Sequence, residues 1–133
     1  MAGMQRTTIA WTVTSLLSIL LSTFHLNHDI VVGIEPGGLE MFPVLPIVAL
    51  WLYATLALAE RRSGYLIVLV LSLLASALPA VHMSGRSGMI GTMARSYAPF
   101  FFGWTLIAVG VTAMCAVLLS VHGLWGLRRD RAR

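Results

Sequence analysis

Residues 98–121 read APFFFGWTLIAVGVTAMCAVLLSV, a run of 24 positions without a charged side chain. An α-helix rises 1.5 Å per residue, so this run is long enough to cross the roughly 30 Å hydrocarbon core of a bilayer. Three further uncharged runs of similar length precede it. We therefore predict an all-α membrane protein, a bundle of four transmembrane helices over residues 7–28, 41–60, 65–83 and 98–124.

The composition of the whole chain agrees with this prediction. Of its 133 residues 58% are hydrophobic and 11% are charged, and the mean hydropathy is +0.86, which is too apolar for a water-soluble domain of this length. The four spans and their short connections use nearly all of the sequence, so we expect a single domain, residues 1–133. Cys115 is the only cysteine, which excludes an intrachain disulfide, a CxxC redox pair and a thiolate zinc site.

The arginines predict how the helices are oriented. The net charge is +4 and all nine basic residues are arginines at predicted helix ends, a pattern typical of membrane orientation and not of nucleic-acid binding. Seven of the nine fall on one side of the bundle, at Arg6, at residues 61–62 and in the tail 128–133. By the positive-inside rule both termini are cytoplasmic, and we expect a multi-pass protein of a bacterial inner (plasma) membrane.

Small and polar residues indicate where the helices pack. In lipid, helices associate through close packing of small side chains and through interhelical hydrogen bonds. The last span repeats small residues every four positions, at Ala108, Thr112, Ala116 and Ser120. This face could pack within the bundle or against a second copy of the chain in a homo-oligomer. The first span carries its polar residues on a single stripe, Trp11, Ser15, Ser18, Ser22, His25 and Asp29.

Histidines and acids gather on the predicted outer side. Counted at 1.5 Å per residue, His25 near the end of the first span and His82 near the end of the third lie at one level. His28 and Asp29 follow His25 within about one turn and converge with it if the helix continues through Asp29. Two imidazoles and a carboxylate suit zinc, copper or iron, so His25, His28, Asp29 and His82 are the candidate metal ligands. His25 and His82 are also the only pair at equal depth for a b-type haem.

The outer loops carry the remaining charges of that side. Arg86 and Arg95 are placed to bind an anionic group, such as a lipid headgroup or a carboxylate, or to pair with the loop acids Glu35 and Glu40. Loops held by a rigid scaffold are where binding specificity is usually built. We therefore expect recognition on this side of the bundle.

No complete catalytic set can be assembled from these residues. The GxSxG motif and phosphate-binding glycine loops are missing, and the span interiors hold none of the acids or bases that ion-coupled transporters use. The leading hypothesis is a small accessory protein, not an enzyme, that acts through its outer polar site on a partner, lipid or ligand, alone or in a larger membrane complex. The alternatives are a metal- or haem-binding protein, for electron transfer or as a small membrane enzyme, and an oligomeric transporter or channel.

Overall fold

The computed structural model describes residues 2–84 and 99–131, and within these ranges it is helical and contains no strand. The described residues form five α-helices and one 3-10 turn, in this order: α1 (Ala2–Val31), the 3-10 turn (Gly38–Met41), α2 (Val44–Leu56), α3 (Arg62–Ser76), α4 (Leu78–Ser84) and α5 (Pro99–Arg131).

Four segments of the described chain are long and apolar enough to cross a membrane. They are Arg6–Val31, Gly38–Leu56, Arg62–His82 and Phe100–Arg129. The all-helical class and the number of such segments are therefore as the sequence predicts. Helices α3 and α4 together form the third segment. Helix α2 ends at Leu56, where the chain turns back toward α3.

Helix α5 is the central element of the bundle. It packs along α1 and along α3, while α2 packs against α1 and α3 on the other side. Six buried side chains of α5 recur every three or four residues, which places them on one stripe of the helix: Phe102, Leu106, Val109, Ala113, Ala116 and Ser120. Thr105, next to Leu106, is buried as well. The predicted small-residue face overlaps this stripe only at Ala116 and Ser120, because Ala108 and Thr112 are partly buried at its flank.

The two ends of the bundle differ in chemistry. The arginine end gathers the start of α1, the turn between α2 and α3, and the end of α5. There Trp11 is fully buried, its Nε1 donates to the Ser120 hydroxyl at 2.8 Å, and its ring lies 4.8 Å from that of Tyr65. The histidine end gathers the end of α1, α4 and the start of α5, and it contains the candidate site.

Candidate metal centre

Helix α1 continues through Asp29 to Val31, so its polar stripe reaches the histidine end unbroken. The helix is closed by Gly33, whose φ of +74° is a left-handed conformation that favours glycine. The Asp29 carbonyl then accepts hydrogen bonds from the backbone N–H groups of Ile34 at 2.8 Å and Glu35 at 3.2 Å. These contacts hold the last turn of α1, which carries the carboxylate.

A break between α3 and α4 places His82. Pro79 has no N–H to donate, and its ring obstructs the carbonyl one turn earlier, so a straight helix cannot continue here. Helix α3 ends at Ser76 and α4 begins at Leu78. The Pro79 ring packs against α5 at Gly110, where a Cβ atom would lie 2.8 Å from the ring. The break and this contact bring His82 to α1.

Three ligand atoms converge at this end of the bundle. The His82 Nε2 atom lies 3.2 Å from the Asp29 Oδ2 atom, and the His25 Nε2 atom lies 3.5 Å from the same oxygen. All three atoms are within 4.8 Å of one another. His25 and Asp29 are 2% and 3% exposed, whereas the His82 side chain is 17% exposed. The group is therefore buried, and His82 is its most accessible member.

Both nitrogens of the His82 ring face oxygen atoms, and we use the shorter contact to assign the proton of the neutral ring. The Nδ1 atom lies 3.0 Å from the Leu78 carbonyl oxygen, which can only accept. We therefore assign the ring proton to Nδ1. The Nε2 atom lies 3.2 Å from Asp29 Oδ2, which also can only accept. A ring with protons on both nitrogens would donate to both oxygens, whereas the neutral ring with its proton on Nδ1 directs the Nε2 lone pair toward the carboxylate.

His25 is held in the same way by α5. Its Nδ1 atom lies 3.2 Å from the Thr105 Oγ1 atom. The Thr105 hydroxyl donates to the carbonyls of Phe101 at 2.9 Å and Phe102 at 3.1 Å, so the oxygen accepts from His25. The neutral His25 ring therefore also directs its Nε2 lone pair at the Asp29 carboxylate.

This arrangement brings electron-rich atoms together in a buried place. The His25 Nε2 and Asp29 Oδ1 atoms have no hydrogen-bond partner within the described chain. A second proton on one of the two imidazoles would turn its contact with Asp29 into an ion pair. The Nε2 lone pair of the other imidazole would still face the same carboxylate oxygen. A cation bound by the two Nε2 atoms and Asp29 Oδ2 would give His25 Nε2 a partner, whereas Oδ1 lies on the side of the carboxylate toward His28.

The spacing of the ligand atoms suits a small metal ion. Zinc with metal–nitrogen and metal–oxygen bonds of about 2.0–2.1 Å separates neighbouring tetrahedral ligands by about 3.3 Å. The distances from Asp29 Oδ2 to the two imidazole nitrogens, 3.2 and 3.5 Å, match that edge. The three atoms as a set lie within 4.8 Å of one another, which is wider than the edge, so the two imidazoles would have to move toward each other to bind the ion. The second nitrogen of each imidazole, Nδ1, also lies within hydrogen-bond distance of an oxygen, from Thr105 for His25 and from Leu78 for His82. Metal-bound histidines almost always have such a partner.

Phe102 covers the group from α5. This side chain is fully buried, and its ring centroid lies 5.1 Å from that of His25, 5.5 Å from that of His28 and 5.9 Å from that of His82. The His25 and His82 rings touch edge to face with centroids 4.9 Å apart. A porphyrin would have to separate these two rings, so the geometry favours a single ion over haem b.

His28 occupies a different position from the other two histidines. Its Nδ1 atom lies 3.7 Å from Asp29 Oδ1, the carboxylate oxygen turned away from the converging nitrogens. The residue is 8% exposed, and its ring lies 5.9 Å from that of Phe101. The structure thus places His28 beside the carboxylate and not among the three converging ligand atoms.

The other predicted site residues are not part of this group. Glu35, after α1, and Glu40, in the 3-10 turn, are exposed. Arg86 and Arg95 lie outside the described residues. Sequence reasoning missed Thr105, because a threonine in an apolar span usually bonds a carbonyl one turn back, as Thr105 also does. Counting depth along the fourth span, as for His25 and His82, would have placed it at their level.

Comparisons of the chain with models of known protein families, with curated proteins and with solved structures found no match. The fold and the site therefore define the class of protein by themselves. Over residues 2–84 and 99–131 it is a helical bundle with four segments long and apolar enough to cross a membrane, and it has a buried group of two histidines and one aspartate that could hold a metal ion.

Proposed function

We propose that this chain is an integral membrane protein that binds one divalent transition-metal ion, zinc above others, through His25, Asp29 and His82. The observation that carries the proposal is the direction of both imidazoles: each places Nδ1 next to an oxygen outside the group, and each turns Nε2 toward the same carboxylate oxygen. This is the arrangement in which neutral histidines bind a metal.

The outer surface of the helices supports insertion in a bilayer. Large apolar side chains are exposed on every spanning segment, for example Ile9 at 57%, Leu45 at 62%, Leu74 at 64% and Leu118 at 63%. A soluble monomer rarely exposes contiguous apolar surface on this scale, whereas lipid covers it. The positive-inside rule then places the arginine end in the cytoplasm and the metal centre near the outer face, in a bacterium at the periplasmic side of the plasma membrane.

The number of protein ligands supports an accessory role. Structural zinc sites are normally closed by four protein ligands, whereas three ligands leave a coordination position open. Here the open position is available to water or to a donor atom from a partner, and the 17% exposure of His82 provides the approach. We propose that the protein holds the ion at the outer face for exchange with a partner protein or ligand.

Ferrous iron is the second candidate for the bound metal. Two histidines and one carboxylate are also the ligand set of non-haem iron(II) centres, which keep further positions open. The ligand types of the group are common to both metals, since it contains imidazole and carboxylate and no thiolate. Elemental analysis of protein extracted from native membranes distinguishes the two metals.

The proposal is tested on tag-free protein in detergent, stripped with a chelator and titrated with zinc against a chromophoric competitor. We expect one zinc per chain. Removal of a ligand in His25→Ala, Asp29→Asn or His82→Ala should weaken binding by more than the 10- to 100-fold that loss of a supporting contact costs.

His122→Ala is the matched control, because His122 is exposed and lies near the arginine end, away from the group. It should bind zinc as the unsubstituted chain does. The proposal is wrong if the stripped protein binds neither zinc nor ferrous iron, or if His122→Ala weakens binding as much as His82→Ala does. A haem absorption band that is lost in His25→Ala would show that the group binds haem b and not a single ion.

A further inference from the structure

A cavity of about 270 Å³ lies at the arginine end, on the opposite side of the molecule from the metal centre. It is formed where the turn between α2 and α3 meets the last turns of α5. Its wall consists of Glu60, Arg61, Arg62, Leu124, Leu127 and Arg128. Polar and apolar groups are thus combined on one concave surface.

Positive charge predominates on this wall. Three guanidinium groups, from Arg61, Arg62 and Arg128, share it with the single carboxylate of Glu60. Among the side chains that the structure describes, every ion pair belongs to the metal centre, and none includes these arginines. Gathering like charges from two different elements is unfavourable, and a bound anion relieves it.

The start of α3 adds to the same positive field. Arg61 is the N-cap residue of this 15-residue helix, no side chain caps its backbone N–H groups, and its first turn contains no acid. A helix start without a side-chain cap, together with the positive end of the helix dipole, favours an anion, phosphate in particular. Since Arg61 and Arg62 also line the cavity, helix end and guanidinium groups act on one place.

The turn before α3 holds these arginines in position. Glu60 has a φ of 66°, the left-handed region that side chains rarely adopt, and the Arg61 N–H donates to the Leu58 carbonyl at 3.0 Å. Gly64 lies against the same carbonyl so closely that a Cβ atom would overlap it. The turn is therefore packed into one conformation, which fixes the backbone positions of Arg61 and Arg62, while their side chains are exposed.

The apolar part of the wall distinguishes a lipid from a soluble anion. Leu124 and Leu127 are half-buried on α5 and precede Arg128, so an apolar surface leads directly into the charged part of the cavity. A phospholipid presents a phosphate joined to acyl chains in this order. From this combination we infer that the cavity binds the phosphodiester of one anionic phospholipid, in the cytoplasmic leaflet. The inference rests on the membrane insertion proposed above and not on the metal centre.

The test measures lipid retention by native mass spectrometry of protein exchanged into detergent with dioleoyl phosphatidylglycerol or dioleoyl phosphatidylcholine. We expect one phosphatidylglycerol retained per chain and no comparable retention of phosphatidylcholine. A triple variant, Arg61→Gln, Arg62→Gln and Arg128→Gln, should bind phosphatidylglycerol on the order of 100-fold more weakly, at about fivefold for each arginine near a lipid surface.

Arg129→Gln is the matched control. Arg129 neighbours Arg128 in the chain, but its guanidinium stacks on the Trp125 ring at 3.9 Å and does not line the cavity. This variant should retain the lipid. Helical circular dichroism and the thermal midpoint verify that each variant is folded. Arg128→Gln alone, with an expected fivefold loss, carries the test if the triple variant does not fold.

Three results would overturn the inference. The first is a triple variant that retains as much phosphatidylglycerol as the unsubstituted chain does. If Arg128→Gln carries the test, the same result with that variant counts. The second is equal retention of phosphatidylcholine. The third is thermal stabilisation by inorganic phosphate as large as that by phosphatidylglycerol, which would identify a soluble anion as the ligand. Zinc binding is measured on the same samples, so failure of the lipid site is distinguished from failure of the metal centre.

Discussion

Thr105 determines what His25 offers to the metal centre. Its hydroxyl hydrogen is directed at the backbone carbonyls of its own helix, so its oxygen accepts the His25 Nδ1 proton. Without that acceptor the ring is free to rotate or to move its proton to Nε2, and in either case a lone pair is lost from the group. A residue outside the three converging ligand atoms therefore orients one of the candidate metal ligands.

Thr105→Val tests this role, since valine keeps the shape of threonine and removes the hydroxyl. We expect zinc to bind about 10- to 100-fold more weakly, the usual cost of losing a contact that orients a metal-bound histidine. Chelator competition at fixed pH measures the affinity.

Thr112→Val is the matched control, because the Thr112 hydroxyl donates to the carbonyls of Ala108 and Val109 in its own helix. It should leave zinc affinity unchanged. Equal losses in the two variants would show that the effect comes from hydroxyl removal anywhere on α5 and not from the contact with His25.

At the scale of the helices, glycines set how closely α5 approaches its neighbours. Gly110 lies against the Pro79 ring and Gly123 lies against the Tyr65 ring, so α5 contacts the third spanning segment at both ends of the bundle. The contact at Pro79 is the one that positions α4 and, with it, His82. Close approach of this kind is how helices associate in lipid.

Gly123→Ala should destabilise the bundle by about 1–3 kcal/mol, because the added methyl group overlaps the Tyr65 ring in a packed interface. Gly126→Ala lies one turn further along the same helix, where no atom is within 4 Å of the new methyl group. It should be neutral or stabilise by up to about 1 kcal/mol through helix propensity. Unfolding in detergent, followed by circular dichroism, measures both. A Gly123→Ala protein as stable as Gly126→Ala would mean that α5 and α3 are further apart than described.

At the scale of the whole molecule, the metal centre joins helices that are distant in sequence. His25 and Asp29 come from α1 and His82 from α4, while α5 supplies Thr105 and the covering ring of Phe102. An ion bound by these ligands couples the first, third and last spanning segments. Metal binding should therefore stabilise the entire bundle and not only its outer end.

Zinc at 100 times its dissociation constant should stabilise the folded protein by about 2.7 kcal/mol, because the unfolded chain does not assemble the three ligands. The thermal midpoint should rise with zinc and return when a chelator is added. The His82→Ala protein should show no rise. An equal rise in that variant would indicate binding at the surface and would contradict the assigned centre.

The local features of this protein follow from its sequence. Four uncharged runs predict four helices long enough to span a bilayer, and the helical period alone places His25 next to Asp29. The arginine pattern predicts the orientation, which stays a prediction. Each of these features depends on neighbours within one or two turns or on composition, so one sequence is sufficient to infer them.

Only the tertiary structure decides how the helices complete the two sites. It selects His82 over His28 as the third converging ligand, adds Thr105 and Phe102, and brings Arg128 to the turn at Arg61 and Arg62. These contacts join residues far apart in the chain. They depend on how each helix is rotated and how deep it lies relative to the others. The glycine contacts and the break at Pro79 determine this rotation and depth through close packing between helices. The periodicity within a single helix does not encode such packing.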